Sequence, residues 1–177
     1  MVASAALYFF DTNALAKRYL WDQGSAWVAW ALARRTPTPV LMFSELARVE
    51  LASALYKLER MHGTHPSFTD SVVAQFERDV QRSESAAQRP AQVLLPLSVG
   101  VLERARTVLA VYRSGTPNAL RSLDALQLAT ALLIYEALPP ERRDDFRFVT
   151  SDKQLLGAAN HAGLITVRPE DQVVPTP

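Results

Sequence analysis

The chain has 177 residues, enough for one domain with a real core. Its 49% apolar and 21% charged residues are ordinary for a soluble globular protein, and a net charge of +1 sets up no strong field to announce nucleic acid. There is no cysteine, which excludes disulfides, thiolate zinc sites and a cysteine nucleophile, and suits a reducing cytosol.

The N-terminus carries no positive run ahead of an apolar core, so no signal peptide is expected. Leu7 to Phe10 reads as a short strand covered on both faces, ending directly on Asp11-Thr12-Asn13. Helical patterns follow over about 14–21 and 25–35. Pro39 to Phe43 reads as a second strand, and Ser44 as the cap of a helix reaching about Met61. After the break at His62 to Pro66 comes an amphipathic helix over about 67–83, then the loop 83–92. Val93 to Leu97 reads as a strand that Pro96 places at a sheet edge or a strand end. A helix over about 98–113, the turn cluster 114–118, and an apolar helix from Ser122 to about Leu138 follow. The run LQLATALLIYEAL in that helix is interrupted by Gln127 and Glu136 and is too short to span a bilayer. Pro139-Pro140 ends it. Phe146 to Thr150 is a strand, Asp152 to Ala162 a helix closed by Gly163, and Leu164 to Val167 a last strand. The tail from Pro169 to Pro177 is expected to be loose.

Strands alternating with helices predict an α/β fold with a mainly parallel central sheet and helices on both faces, as a single domain over 1–177 with its core at about 7–168. A soluble cytoplasmic protein with no membrane partner is the matching expectation.

Four acids stand out. Asp152 ends its strand as Asp11 ends the first, and ligands of open parallel sheets gather beyond the carboxyl ends of the strands. Each could also be only a loop residue or helix cap. On a helical wheel, Leu46, Ala47, Ser53 and Ala54 lie within about 60° of Glu50, with Arg48 and Glu59 on the far side. Glu50 is therefore expected near the middle of the buried face, where a carboxylate needs a cation or several donors. Lys57 two turns on is one candidate, a metal ion the other. Glu45 lies about 140° from Glu50 and reads as a first-turn acid favouring the helix dipole. Asp124, near the start of the apolar helix, reads either that way or as the fourth member of an acidic cluster. Four clustered carboxylates would raise one another's pKa unless a cation neutralised them, and oxygen ligands select Mg²⁺ or Mn²⁺. His62, His65 and His161 have no metal-ligand spacing, and Trp21, Trp27 and Trp30 read as core or interface packing rather than a base-stacking platform.

At these residues the sequence resembles the PIN-domain nucleases, and most closely the VapC-type toxins of toxin–antitoxin pairs. The likeness is carried by YFFDTNALAKRYL, SELARVELASALYKLER, LRSLDALQLATALLIYE and FVTSDKQLLGAANHAGL, in that order over about 7–168. It implies a PIN-like three-layer α/β/α fold and a metal site at Asp11, Glu50, Asp124 and Asp152, with Thr12, Asn13 and Thr150 in support. Asn13 departs mildly, since similar sequences often carry Ser there. The resemblance further implies Mg²⁺- or Mn²⁺-dependent RNA hydrolysis, a cognate antitoxin and a homodimer. Arg18, Arg48, Lys57, Arg121 and Lys153 lie near the four blocks and are candidates for phosphate contacts. A catalytically silent binding module and an aspartyl phosphatase are the alternatives; the latter wants a second Asp where Asn13 stands.

Overall fold

The computed structural model describes residues 6–33, 40–85, 92–113 and 115–174. The elements run β1 (Leu7–Phe10), α1 (Thr12–Ala16), α2 (Ser25–Ala33), β2 (Val40–Ser44), α3 (Leu46–His62), α4 (Pro66–Ser85), β3 (Gln92–Leu95), α5 (Val99–Val111), α6 (Ser122–Ala137), α7 (Pro140–Arg143), β4 (Phe146–Val149), α8 (Lys153–His161) and β5 (Thr166–Val167). All five strands are parallel, in the order β3-β2-β1-β4-β5. The sheet winds outward from β1 through β2 to β3, then returns to place β4 on the other side of β1. The topological switch point therefore falls between β1 and β4, where Phe10 is paired with Val149.

The apolar run of β1 is buried throughout because both faces of the sheet are covered. Alternate side chains serve opposite cores. Leu7 and Phe9 join Phe146, Phe148 and the apolar stripes of α5, α6 and α8. Tyr8 and Phe10 join Leu41, Phe43 and residues of α1 to α4, among them Trp27, Leu51 and Phe76. This is the expected three-layer arrangement. Trp27 and Trp30 pack as expected, whereas Trp21 is 83% exposed. His62, His65 and His161 are all on the surface, His161 bonding the Tyr112 hydroxyl at 2.9 Å.

Several local expectations change. The first helix starts two residues earlier than expected, because Asp11 caps it, and spans only five residues. The helix after β2 starts one residue past Glu45, with Ser44 Oγ accepting the Leu46 N–H at 3.2 Å from inside the strand. The cap position of α6 is Arg121 rather than Ser122, because the Asp124 carboxylate reaches back to the Arg121 N–H at 3.3 Å. Much of the predicted loop 83–92 lies outside the described residues, and α4 extends to Ser85. Gly163 takes φ +87° after α8, as a helix-ending glycine should.

The start of the tail is not loose. Pro169–Asp171 forms a 3-10 turn, and Pro169 is buried. A Cβ on Gly24, which itself has φ +89°, would stand 2.8 Å from Pro169. Glu170 lies 3.0 Å from Lys17 Nζ, and the two are only 10% and 7% exposed. Lys17 completes its shell with Asp22 at 3.1 Å and the Gln23 carbonyl at 2.7 Å. A charge removed from such a pair leaves its partner buried, so Glu170→Ala should lower the unfolding free energy by about 2 kcal/mol, measured by urea denaturation.

Candidate functional site

Asp11 follows β1 and Asp152 follows β4, and these strands are neighbours, with the Asp11 N–H bonded to the Val149 carbonyl at 3.0 Å. Both acids are also helix caps, as the simpler reading had it. Asp11 Oδ1 accepts the Ala14 N–H at 2.7 Å, and Asp152 Oδ1 accepts the Gln154 and Leu155 N–H groups at 2.8 and 2.9 Å. Capping occupies one oxygen of each carboxylate and fixes its rotamer, so the other oxygen has a set direction. Asp11 Oδ2 accepts from the Thr150 hydroxyl at 2.6 Å, and Thr150 Oγ1 in turn accepts the Asp152 N–H at 3.0 Å. Thr150 thus ties the two strand ends together.

Asp11 is only 2% exposed. Burial pushes its pKa up to about 7; the bonds from Thr150 and Ala14 pull the other way, and the charges of Glu50 and Asp152 raise it further. Among the described residues, no cation is among the groups that shift it.

Glu50 is not at the centre of the core-facing side of α3. Ala47, Leu51 and Leu55 form that stripe. Glu50 lies beside it, on a face open to a cleft of about 550 Å³ that Thr12, Asn13, Leu46, Ser53, Ala54, Lys57, Arg121 and Asp124 help to line. The wheel misjudged the face because Ser53 and Ala54 are small enough for core or cleft, and here they are exposed. Nor does Lys57 pair with Glu50. The carboxylate is held by donors: the Thr12 hydroxyl, and Gln127 Nε2 at 2.7 Å. Gln127 also reaches Thr12 Oγ1 at 3.0 Å. Gln127 was missed by site reasoning, although its signal was visible as the one amide within an apolar helix run. Glu45 stands one residue before α3 rather than in its first turn, and accepts the Leu97 N–H at 3.3 Å, a scaffold contact.

Asp124 and Asp152 share a cation. Arg121 Nε is 3.0 Å from Asp124 Oδ2, and Arg121 Nη2 is 3.7 Å from Asp152 Oδ2. The structure therefore groups the acids as Asp11 near Glu50 and Asp152, with Asp124 and Asp152 joined by Arg121. Among the described residues, no three His, Asp or Glu side chains converge tightly enough to form a ready cage for an ion. Asn13 lines the cleft. Of the basic candidates, Arg18 and Arg48 are engaged by Asp79 and Glu77 of α4 at 3.0 and 3.2 Å, Lys57 lines the cleft, and Lys153 is exposed at the first position of α8.

The PIN domain family matches residues 8–160. The chain belongs to the PIN-domain family. Solved structures share the fold, among them these two. FitAcB from Neisseria gonorrhoeae has a TM-score of 0.59 at 16% identity, covering 93% of this chain and 99% of that one. VapBC2 from Rickettsia felis, bound to a DNA fragment from their promoter, has a TM-score of 0.55 at 15% identity, covering 92% and 98%. No curated protein matches the sequence. Among the described residues no helix is long and apolar enough to cross a membrane.

Proposed function

We propose that this PIN domain is a metal-dependent endoribonuclease, the toxin of a VapBC-type toxin–antitoxin pair. The observation that carries the reading is Asp11: a buried carboxylate at the central strand end, its pKa pushed to about 7, near two further acids and, among the described residues, with no cation offsetting it. That is an arrangement a fold tolerates where a cation is to bind. The donor set fits Mg²⁺ or Mn²⁺, being all oxygen. Mg²⁺ keeps several waters and asks for only one or two carboxylates, so a preformed cage of three acids is not required.

Asp11 and Asp152 would hold the ion directly, with Glu50 and Asp124 completing the site. A bound divalent ion lowers the pKa of water and neutralises charge on a phosphate undergoing hydrolysis. The chain's own residues do the rest. Thr150 and the caps of α1 and α8 fix the oxygens of Asp11 and Asp152. Thr12 and Gln127 fix Glu50 at the wall of the cleft. Lys57 and Lys153 can contact RNA phosphates from the cleft and from α8. The cleft's apolar lining, Leu46, Val49 and Leu123, gives nucleobases a surface to pack on. The likeness to FitAcB and VapBC2 supports a protein partner that acts as antitoxin; a homodimer and a cytoplasmic setting complete the proposal.

The test is RNA cleavage by purified, antitoxin-free protein with Mg²⁺ or Mn²⁺, beside EDTA and Asp11→Asn controls. Cleavage lost in both controls supports the reading; cleavage surviving EDTA sinks it. Gln127→Leu probes the support of Glu50. It should lower cleavage by about 10- to 100-fold, as for other groups that orient a metal-site carboxylate. The fold should tolerate it, since Gln127 Oε1 has no partner among the described residues.

A further inference from the structure

Arg121 is unlike the other basic residues of the cleft. It stands at the cap position of α6, yet its side chain is 76% exposed, so packing does not hold it in place. What holds it is charge. It makes a hydrogen-bonded ion pair with Asp124 at 3.0 Å and a longer contact with Asp152 at 3.7 Å, spanning the starts of α6 and α8. Its pKa is raised by the bond and charge of Asp124, and further by Asp152 and Glu50. One flexible guanidinium is therefore the counter-charge for two acids of the site.

We propose that Arg121 is a tethered counter-ion that competes with divalent metal for Asp124 and Asp152. The inference rests on the metal-site reading above. In the metal-free protein the guanidinium holds the two carboxylates together and screens their repulsion. A divalent cation must displace it, and exposure makes that displacement cheap because no buried surface is lost. Arg121 thus sets the metal concentration at which the site fills. The role differs from helix capping, which uses the Arg121 backbone N–H and survives substitution of the side chain by any residue but proline.

The experiment is Mn²⁺ titration of the full, antitoxin-free chain, followed by the electron paramagnetic resonance signal of free Mn²⁺. Arg121→Ala and Arg121→Gln should bind Mn²⁺ about three- to ten-fold more tightly at low salt, the scale expected from losing exposed ion pairs. Arg121→Lys should stay near the unaltered protein. The gain should shrink in about 1 M KCl, where charges are screened within about 3 Å. Circular dichroism checks that each variant is folded. Equal or weaker Mn²⁺ binding by folded Arg121→Ala and Arg121→Gln, with binding lost in Asp11→Asn, overturns this proposal alone. Failure of the unaltered protein and all variants to bind Mn²⁺ overturns the metal-site reading and this proposal with it.

Discussion

Asp11→Asn should lower metal-dependent RNA cleavage by on the order of 10³-fold or more, while leaving the protein folded. The substitution keeps shape and removes charge. Asn Oδ1 can still accept the Ala14 N–H that caps α1, and the amide can still meet the Thr150 hydroxyl. What disappears is the buried negative charge at the end of the central strand. No neighbour replaces it: Asp152 is committed in part to capping α8 and to Arg121, and Glu50 is held by Thr12 and Gln127. Single-turnover cleavage in Mn²⁺ and in Mg²⁺, beside thermal melting of both proteins, makes the comparison. Activity within ten-fold of the unaltered protein would remove Asp11 from the chemistry and with it the proposed mechanism.

The second large effect is on stability in EDTA. Asp11 has its pKa raised from 3.8 to about 7 by burial, with Glu50 and Asp152 adding to the shift against the bonds from Thr150 and Ala14. The folded state therefore holds a proton that the unfolded state has released. Between about pH 4 and pH 7 the native protein binds more protons than the unfolded chain, so stability falls as pH rises. The contribution is complete below the unfolded pKa and gone above the folded one. A shift of this size corresponds to about 4 kcal/mol as an upper figure. The metal-free protein should accordingly lose unfolding free energy between pH 5 and pH 8 relative to Asp11→Asn, which has nothing to titrate at that position. Urea melts of the two proteins in EDTA, at several pH values, read the difference directly. Parallel curves would show that Asp11 ionises without penalty. Saturating Mn²⁺ should restore the unaltered protein at pH 8 by binding only the folded state.

Much of the fold is local and therefore readable. The four-residue apolar run of β1, the acid that follows it, and its counterpart after β4 define two covered parallel strands and two helix starts. Each of these depends only on residues adjacent in sequence: burial on both faces dictates the unbroken apolar run, and a carboxylate before a helix caps it. Pro96 beside an edge strand, Pro139-Pro140 after α6 and Gly163 after α8 are of the same kind, because backbone restriction acts where the residue stands.

The partners of Glu50 are not local. The wheel could place Glu50 beside small residues, but whether that face met the core or a cleft depended on where α6 and α1 came to rest. The close approach of α6 and α1 brings Gln127 and Thr12, 77 and 38 residues away in sequence, to the same carboxylate oxygen. The same holds for Arg121, which reads as one surface arginine among many until β4 is laid beside β1 and brings Asp152 within 3.7 Å. It holds too for the tail, expected to be loose, whose Glu170 is instead pinned by a lysine more than 150 residues earlier. By itself the sequence determined the α/β alternation, the family and the identity of the candidate acids, since strand burial, capping and motif order are written in neighbouring residues. Tertiary structure alone decided which charges face one another, because those distances are set by the winding order of the sheet and by the packing of helices far apart in the chain.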